Sequence, residues 1–210
     1  MPCVCRLARI IIKDTGVWVV GELVRKYDLS EHQHRFAAWC AATAARASSK
    51  FRFPVQFGRE IIEDAGLKSW STLLPAEKSF DREHDEMCSK IIELSKSYVG
   101  SQLARPFSYG VAAKLLNCYL KAIYANRPCG SISYIHPPID RLLIQELKNR
   151  NVGASEIWSE ILRSGWSSME RDTYVAAISE FRRITAGKLW MIEEHWQGYR
   201  GMKLSKSGAV

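Results

Sequence analysis

The sequence predicts an all-α protein. Three observations carry that reading. Apolar residues recur at helical spacing in one segment after another, no stretch alternates polar and apolar side chains with a period of two, and glycines and prolines punctuate the periodic segments. No internal repeat is visible either. With 210 residues the chain is long enough to bury a substantial core. Residues 1–197 read as one compact helical domain and residues 198–210 as a basic tail.

Taken in order, Val17, Val20, Leu23, Val24 and Tyr27 give a first short helix over Gly16 to Tyr27. Ser30 is expected to cap a second, alanine-rich helix that runs to about Arg46, its small residues allowing close approach to a neighbour. After Phe51, Phe53 and Pro54, a helix from Gly58 to Ala65 stops at Gly66. A long loop through Trp70 and Pro75 leads to a charged helix over Asp81 to Val99, which buries Met87, Ile91, Ile92, Leu94 and Tyr98 and ends at Gly100. Arg105-Pro106 breaks the pattern, and a central helix follows from Val111 to Ala125. The loop Asn126 to Tyr134, with Pro128 and Gly130, precedes helices over Pro138 to Arg150, Ser155 to Arg163, Glu170 to Thr185 and Lys188 to Gln197.

Composition narrows the partners. Hydrophobic residues at 47% and charged residues at 25% are ordinary globular values, so disorder is excluded for most of the chain. Thirty Lys and Arg against 22 Asp and Glu leave a formal charge of +8. An anionic partner is favoured, nucleic acid first and a membrane surface second. The runs at Ile10 to Ile12 and Val17 to Val20 are split by Lys13 and Asp14, which spoils both a membrane span and a signal-peptide core, so a cytoplasmic location is expected. The six cysteines, at 3, 5, 40, 88, 118 and 129, form no Cys-x-x-Cys pair and are expected to be reduced. Cys3 and Cys5 with His32 and His34 lack a recognised zinc spacing, so no metal or other cofactor is expected.

The chemistry concentrates between Tyr109 and Arg141. Gly110-Val111-Ala112-Ala113-Lys114 opens the central helix with a lysine expected in its first turn. His136-Pro137-Pro138-Ile139-Asp140-Arg141 then places an aspartate in the first turn of the next helix. A helix start and apolar neighbours both favour a neutral lysine amine, which is what a nucleophile requires. A carboxylate beside it can act as its electrostatic partner. Leu115, Leu116, Tyr119, Leu120 and Ile123 form the buried stripe of this helix, while Lys114 and Lys121 share another face.

Gly110-Val111-x-x-Lys114-x-x-x-Cys118 and the later Pro138-x-Asp140 resemble the catalytic core of the helix-hairpin-helix DNA glycosylases, most closely the 8-oxoguanine branch with its archaeal members. The resemblance covers Tyr109 to about Leu147. Ala112 stands where the family hairpin has its second glycine, and no Leu-Pro-Gly precedes Val111. The family implies a two-lobed helical fold with the active cleft between the lobes, Lys114 and Asp140 as the catalytic pair, and double-stranded DNA carrying a modified base as the partner of a monomeric enzyme. It also implies that the Gly110 and Ala112 turn holds phosphate. Some members carry an iron-sulfur cluster on C-terminal cysteines, which this chain lacks after Cys129.

Further candidates come from what base flipping needs. Tyr109, Arg105, Lys121, Arg127 and Arg141 are candidates for DNA contact. Trp39, His136 and Phe107 are candidates for the base pocket, with Tyr134 as a further aromatic. Two substrates are weighed, a hypermodified phage base such as glucosylated hydroxymethylcytosine, which implies antiviral defence, and 8-oxoguanine, which implies repair. The rivals from other classes are a non-catalytic helical DNA-binding protein and an interaction module with no nucleic-acid role.

Overall fold

The computed structural model describes residues 27–46, 51–125 and 132–196. The first expected helix up to Lys26, Arg127 with Pro128 and Gly130 of the central loop, Cys3, Cys5, Cys129 and the basic tail lie outside the described residues. Within them every extended element is a helix. The elements are α1 (Leu29–Ala45), α2 (Val55–Ala65), α3 (Lys68–Thr72), α4 (Glu77–Lys96), α5 (Tyr109–Tyr124), α6 (Arg141–Asn149), α7 (Ser155–Ser164) and α8 (Arg171–Thr185). Two 3-10 turns, Trp166–Ser168 and Leu189–His195, flank α8. Among the described residues β pairing is limited to one isolated bridge, Val99 to Leu103. The fold is all-α.

α1 begins earlier than expected because Asp28, not Ser30, caps it, accepting from the Glu31 amide at 3.0 Å. Its inner face is Ala37, Ala38, Ala41, Ala42 and Ala45, all buried, and it packs on α5 and α2. Alanine at these positions lets the axes approach closely. On α2 the matching residue is Gly58. A Cβ there would lie 2.7 Å from Ala42 Cβ and 2.8 Å from Phe53 Cε2.

α2 starts directly after Pro54 and stops where the sequence places its stop, at Gly66 in the left-handed region (φ 77°). The expected long loop after it contains α3 instead, whose Trp70 carbonyl accepts from the Tyr124 hydroxyl. α4 begins four residues ahead of its expected start, at Glu77. The final element is not the regular helix expected over Lys188 to Gln197 but the 3-10 turn Leu189–His195, which buries only Leu189 and Ile192.

α5 is the hub. It packs against α1, α3, α4, α8 and the Trp166–Ser168 turn, and every residue from Tyr109 to Asn117 is buried. The expectation that only one of its faces packs is therefore corrected. Small residues at 110, 112 and 113 let neighbours close over the side that the hydrophobic stripe leaves bare.

Replacing Gly58 by alanine forces its Cβ into Ala42 or Phe53. Urea unfolding should show a loss of about 1–3 kcal/mol with an unchanged m-value, whereas an unchanged midpoint would mean that α1 and α2 pack less closely than described.

Candidate active site around Lys114 and Asp140

Lys114 is the sixth residue of α5, so it lies in the second turn and not the first as expected. The helix start is therefore not its main influence. Its side chain is 8% exposed, with Nζ 4.0 Å from the centre of the Trp166 ring and 3.9 Å from Asp140 Oδ2. Burial pushes the Lys114 amine below the ordinary lysine value, while Cys118 and Asp140 pull the other way. Nζ thus lies between the Trp166 ring and Asp140, and Lys114 lines the cavity described below. Cys118, one turn further along, is pushed up to about 11 by burial, which keeps it a thiol.

Asp140 is the N-cap of α6 and not part of its first turn. Pro137 and Pro138 lie in extended chain ahead of it. Oδ1 accepts from the Leu143 amide at 2.9 Å, and Oδ2 accepts from Trp196 Nε1 at 3.0 Å. The carboxylate is thus fixed from both sides, with Oδ2 directed towards Lys114. Around the pair lies a cavity of about 390 Å³, walled by Cys40 and Ala44 of α1, Lys114, Cys118, Lys121 and Ala122 of α5, and Pro138, Asp140, Glu193 and Trp196. That is a size at which ligand pockets begin.

A buried polar chain holds the segment before Asp140 in place. Asn117 Nδ2 donates to the Pro137 carbonyl at 3.1 Å and to the Tyr174 hydroxyl at 2.9 Å, while its Oδ1 accepts from His84 Nε2 at 2.8 Å. Tyr174 then donates to His136 Nδ1 at 3.0 Å, and His136 Nε2 donates to Asp81 at 3.1 Å. At the other end Cys88 lies 3.6 Å from His84 Nδ1. Every donor finds an acceptor only if both histidines are neutral and carry their proton on Nε2. Burial agrees, holding His84 down at about 3 and lowering His136 as well.

Several sequence candidates do not reach this site. The amide of Gly110 donates to the Met169 carbonyl, that of Val111 to Ser108 Oγ and that of Ala112 to the Ser108 carbonyl. With these donors spent and both Gly110 and Ala112 buried, the expected phosphate-holding turn is corrected to a packing contact. A Cβ on Gly110 would lie 1.9 Å from the Trp166 carbonyl oxygen, so this glycine serves the close approach of α5 to the Trp166 turn. Tyr109 is interior, its hydroxyl donating to Asp85, and Phe107 is buried among Phe51, Phe53 and Phe57. Neither lines the Lys114 cavity.

His136 has both ring nitrogens taken within the protein, so as a base-pocket residue it can offer only its ring. Trp39 stands on the outer face of α1 beside Phe36, half exposed, outside the cavity that Cys40 and Ala44 of the same helix line. Tyr134 donates to the Pro75 carbonyl. Lys121 borders the cavity and pairs with Glu193. Arg105 lies over the Phe51 ring and reaches the Ser167 carbonyl, and Arg141 is exposed next to Asp140. The structure adds Trp166, Glu193 and Asn117, none of which the sequence singled out for this site, and it places at the cavity wall Trp196, whose apolar spacing favours core packing over base stacking. Asn117 carried a signal, since it lies between Lys114 and Cys118 in the motif on which the resemblance rests.

Comparison with protein-family models, with curated proteins and with solved structures finds no match. Among the described residues no helix is long and apolar enough to cross a membrane.

The neutral histidines make stability depend on pH. Their folded values lie below the unfolded value near 6.5, so the unfolded chain binds more protons on acidification. The histidine contribution is complete above about pH 6.5; on the way down towards pH 3 His84 removes ~1.4 kcal/mol per unit, and His136 adds to the fall over the upper part of that range. Chemical denaturation from pH 7 to 4.5 should show this slope, and His84→Gln should lower it by one proton. An unchanged slope in that variant would contradict a neutral buried His84.

Proposed function

We propose that this chain excises a modified base from DNA, with Lys114 as the nucleophile and Asp140 as its carboxylate partner. The observation that carries the reading is a nearly buried lysine amine 3.9 Å from a doubly fixed carboxylate oxygen, at the wall of a cavity of about 390 Å³. A dry lysine with a lowered proton affinity is an amine nucleophile held in waiting. The family resemblance around the same two residues supports it. We take α1 to α5 as one lobe and the chain from Pro137 to Trp196 as the other, with Lys114 supplied by the first and Asp140, Trp166 and Trp196 by the second.

In this mechanism the target nucleotide leaves the duplex and its sugar enters the cavity. The bond from C1′ to the base nitrogen breaks, the base departing with the bonding electrons and taking up a proton. Asp140 stabilises the positive charge that develops on the sugar. The Lys114 lone pair forms a bond to C1′, the ring oxygen accepts a proton as the sugar opens, and a Schiff base remains. β-Elimination from that imine then cuts the strand. The base removed is a modified one, either a hypermodified phage base such as glucosylated hydroxymethylcytosine, in a defence role, or 8-oxoguanine in repair. The space around the site favours an enlarged base over 8-oxoguanine.

Charge supports a nucleic-acid partner in a particular way. Residues 27–46, 51–125 and 132–196 contain twenty basic and twenty acidic residues, so the net +8 resides entirely in the other segments. Three of those segments join the described chain at the cavity region. Ala44 lines the Lys114 cavity shortly before residue 47, Trp196 lines it just before residue 197, and Ala125 and Ile132 line the adjoining cavity on either side of residues 126–131. The rival in which the α5 turn merely grips phosphate is disfavoured, because its amides are spent.

Borohydride trapping on duplexes with an abasic site tests the nucleophile. Wild type should give a covalent adduct, Lys114→Ala none, and Asp140→Asn should keep the adduct while base release drops on the order of a hundredfold. Because the amine's proton affinity is lowered, trapping should rise with pH and level off below the pH at which an ordinary lysine would. An adduct that survives Lys114→Ala, or no adduct in wild type, would refute this assignment.

A further inference from the structure

We infer that the cavity adjoining the Lys114 site receives an apolar substituent carried by the excised base, so that the substrate is a base enlarged by an alkyl or aryl group. This inference rests on the base-excision reading. The second cavity, of about 440 Å³, shares Lys121, Pro138 and Glu193 with the first, so the two adjoin at the Lys121 to Glu193 ion pair. A nucleotide held with its C1′ against Lys114 and Asp140 occupies the first with its sugar and base, and anything attached to the base has the second beside it. Together the two offer far more room than an unmodified base requires.

The walls of the second cavity decide the chemistry of that attachment. They are mainly Tyr124, Ile132, Ile135, Pro137, Trp190 and Met191. The polar groups among its neighbours are already engaged. Lys121 and Glu193 hold each other, the Tyr124 hydroxyl donates to the Trp70 carbonyl, and both His136 nitrogens are bonded within the protein. Glu194 lies 3.4 Å from His195 at the outer edge and is turned mainly to solvent, away from the apolar wall. A hydroxyl-rich group such as a hexose would surrender hydrogen bonds to water and find few in return, which is costly. An apolar group gives up only its hydration and covers Trp190 and Met191, which are 46% and 38% exposed. Within the class of enlarged bases, these walls therefore favour an apolar extension over a sugar.

The test uses the full chain and duplexes carrying N6-benzyladenine or N4-benzylcytosine, each beside its N-methyl counterpart, with glucosylated hydroxymethylcytosine as a third arm. Single-turnover release of the benzyl base should exceed that of the methyl base at least about tenfold. Met191→Trp, which fills the cavity from its exposed edge, should abolish that preference while leaving borohydride trapping at an abasic site within about twofold, since an abasic sugar needs no base pocket. Trapping that persists with no preference for benzyl, or with faster release of the glucosylated base, overturns the inference and leaves the base-excision reading standing. Loss of trapping in wild type overturns both.

Discussion

The near-complete burial of α5 is the constraint on which the rest of the structure depends. A helix can be closed in on almost every side only if its neighbours can come near, and this one is met by alanines on α1 and by the backbone of the Trp166 turn at Gly110. The consequence for chemistry is direct. Lys114 sits on a face that an ordinary amphipathic helix would turn to water, and there it has lost most of its solvent. Its lowered proton affinity is a by-product of helix packing, with Trp166 and Asp140 the groups that keep a charged form tolerable.

The second requirement is that the carboxylate stay where it is. Asp140 belongs to a different part of the chain from Lys114, and an extended Pro-Pro segment leads to it. Asn117 ties the Pro137 carbonyl to α5 through the same side chain that bonds His84 of α4 and Tyr174 of α8. One buried amide thus fixes three elements and the approach to Asp140. Such a network is stable only when each member is satisfied, and neutral His84 and His136 satisfy it. The Trp196 indole completes the hold from the opposite side.

Much of the fold was legible because helical periodicity reports which residues face a core, and here each strongly periodic segment from Leu29 to Thr185 is a helix. The starts were less legible. Asp28 and Ser30 are both good caps, and only the geometry of the first turn selects Asp28. α3 was missed because five residues contain too little of a period to see. The closing turn at Leu189–His195 carries the helical pattern of buried residues but follows a glycine at Gly187 (φ 85°) and is only seven residues long. At the site, the pairing of Lys114 with Asp140 was readable from their local motif. Trp166 and Trp196 were not, because their relation to Lys114 exists only once α5 is enclosed. The same enclosure displaced Gly110, Ala112, Tyr109 and Phe107 from the surface to the interior, since a motif read along the chain gives no account of what packs on it.

The distribution of charge sets the last constraint on how this protein can meet a polyanion. The described body is electrically balanced, and its ion pairs, such as Arg171 with Asp85 and Arg182 with Asp81, use up many of its cations. A balanced surface gives little long-range attraction to phosphate, because the field of paired charges dies away within a few ångströms of them. Attraction must then come from the segments that hold the surplus, while the body contributes shape and the Lys114 to Asp140 geometry. Under the base-excision reading this divides the work between two parts of the sequence. Charge in the flanking segments governs how strongly and how salt-sensitively DNA is held, and the packing of α5 governs whether anything happens to it. A substitution in one set should leave the property of the other nearly untouched, because the two are carried by different residues and different physics.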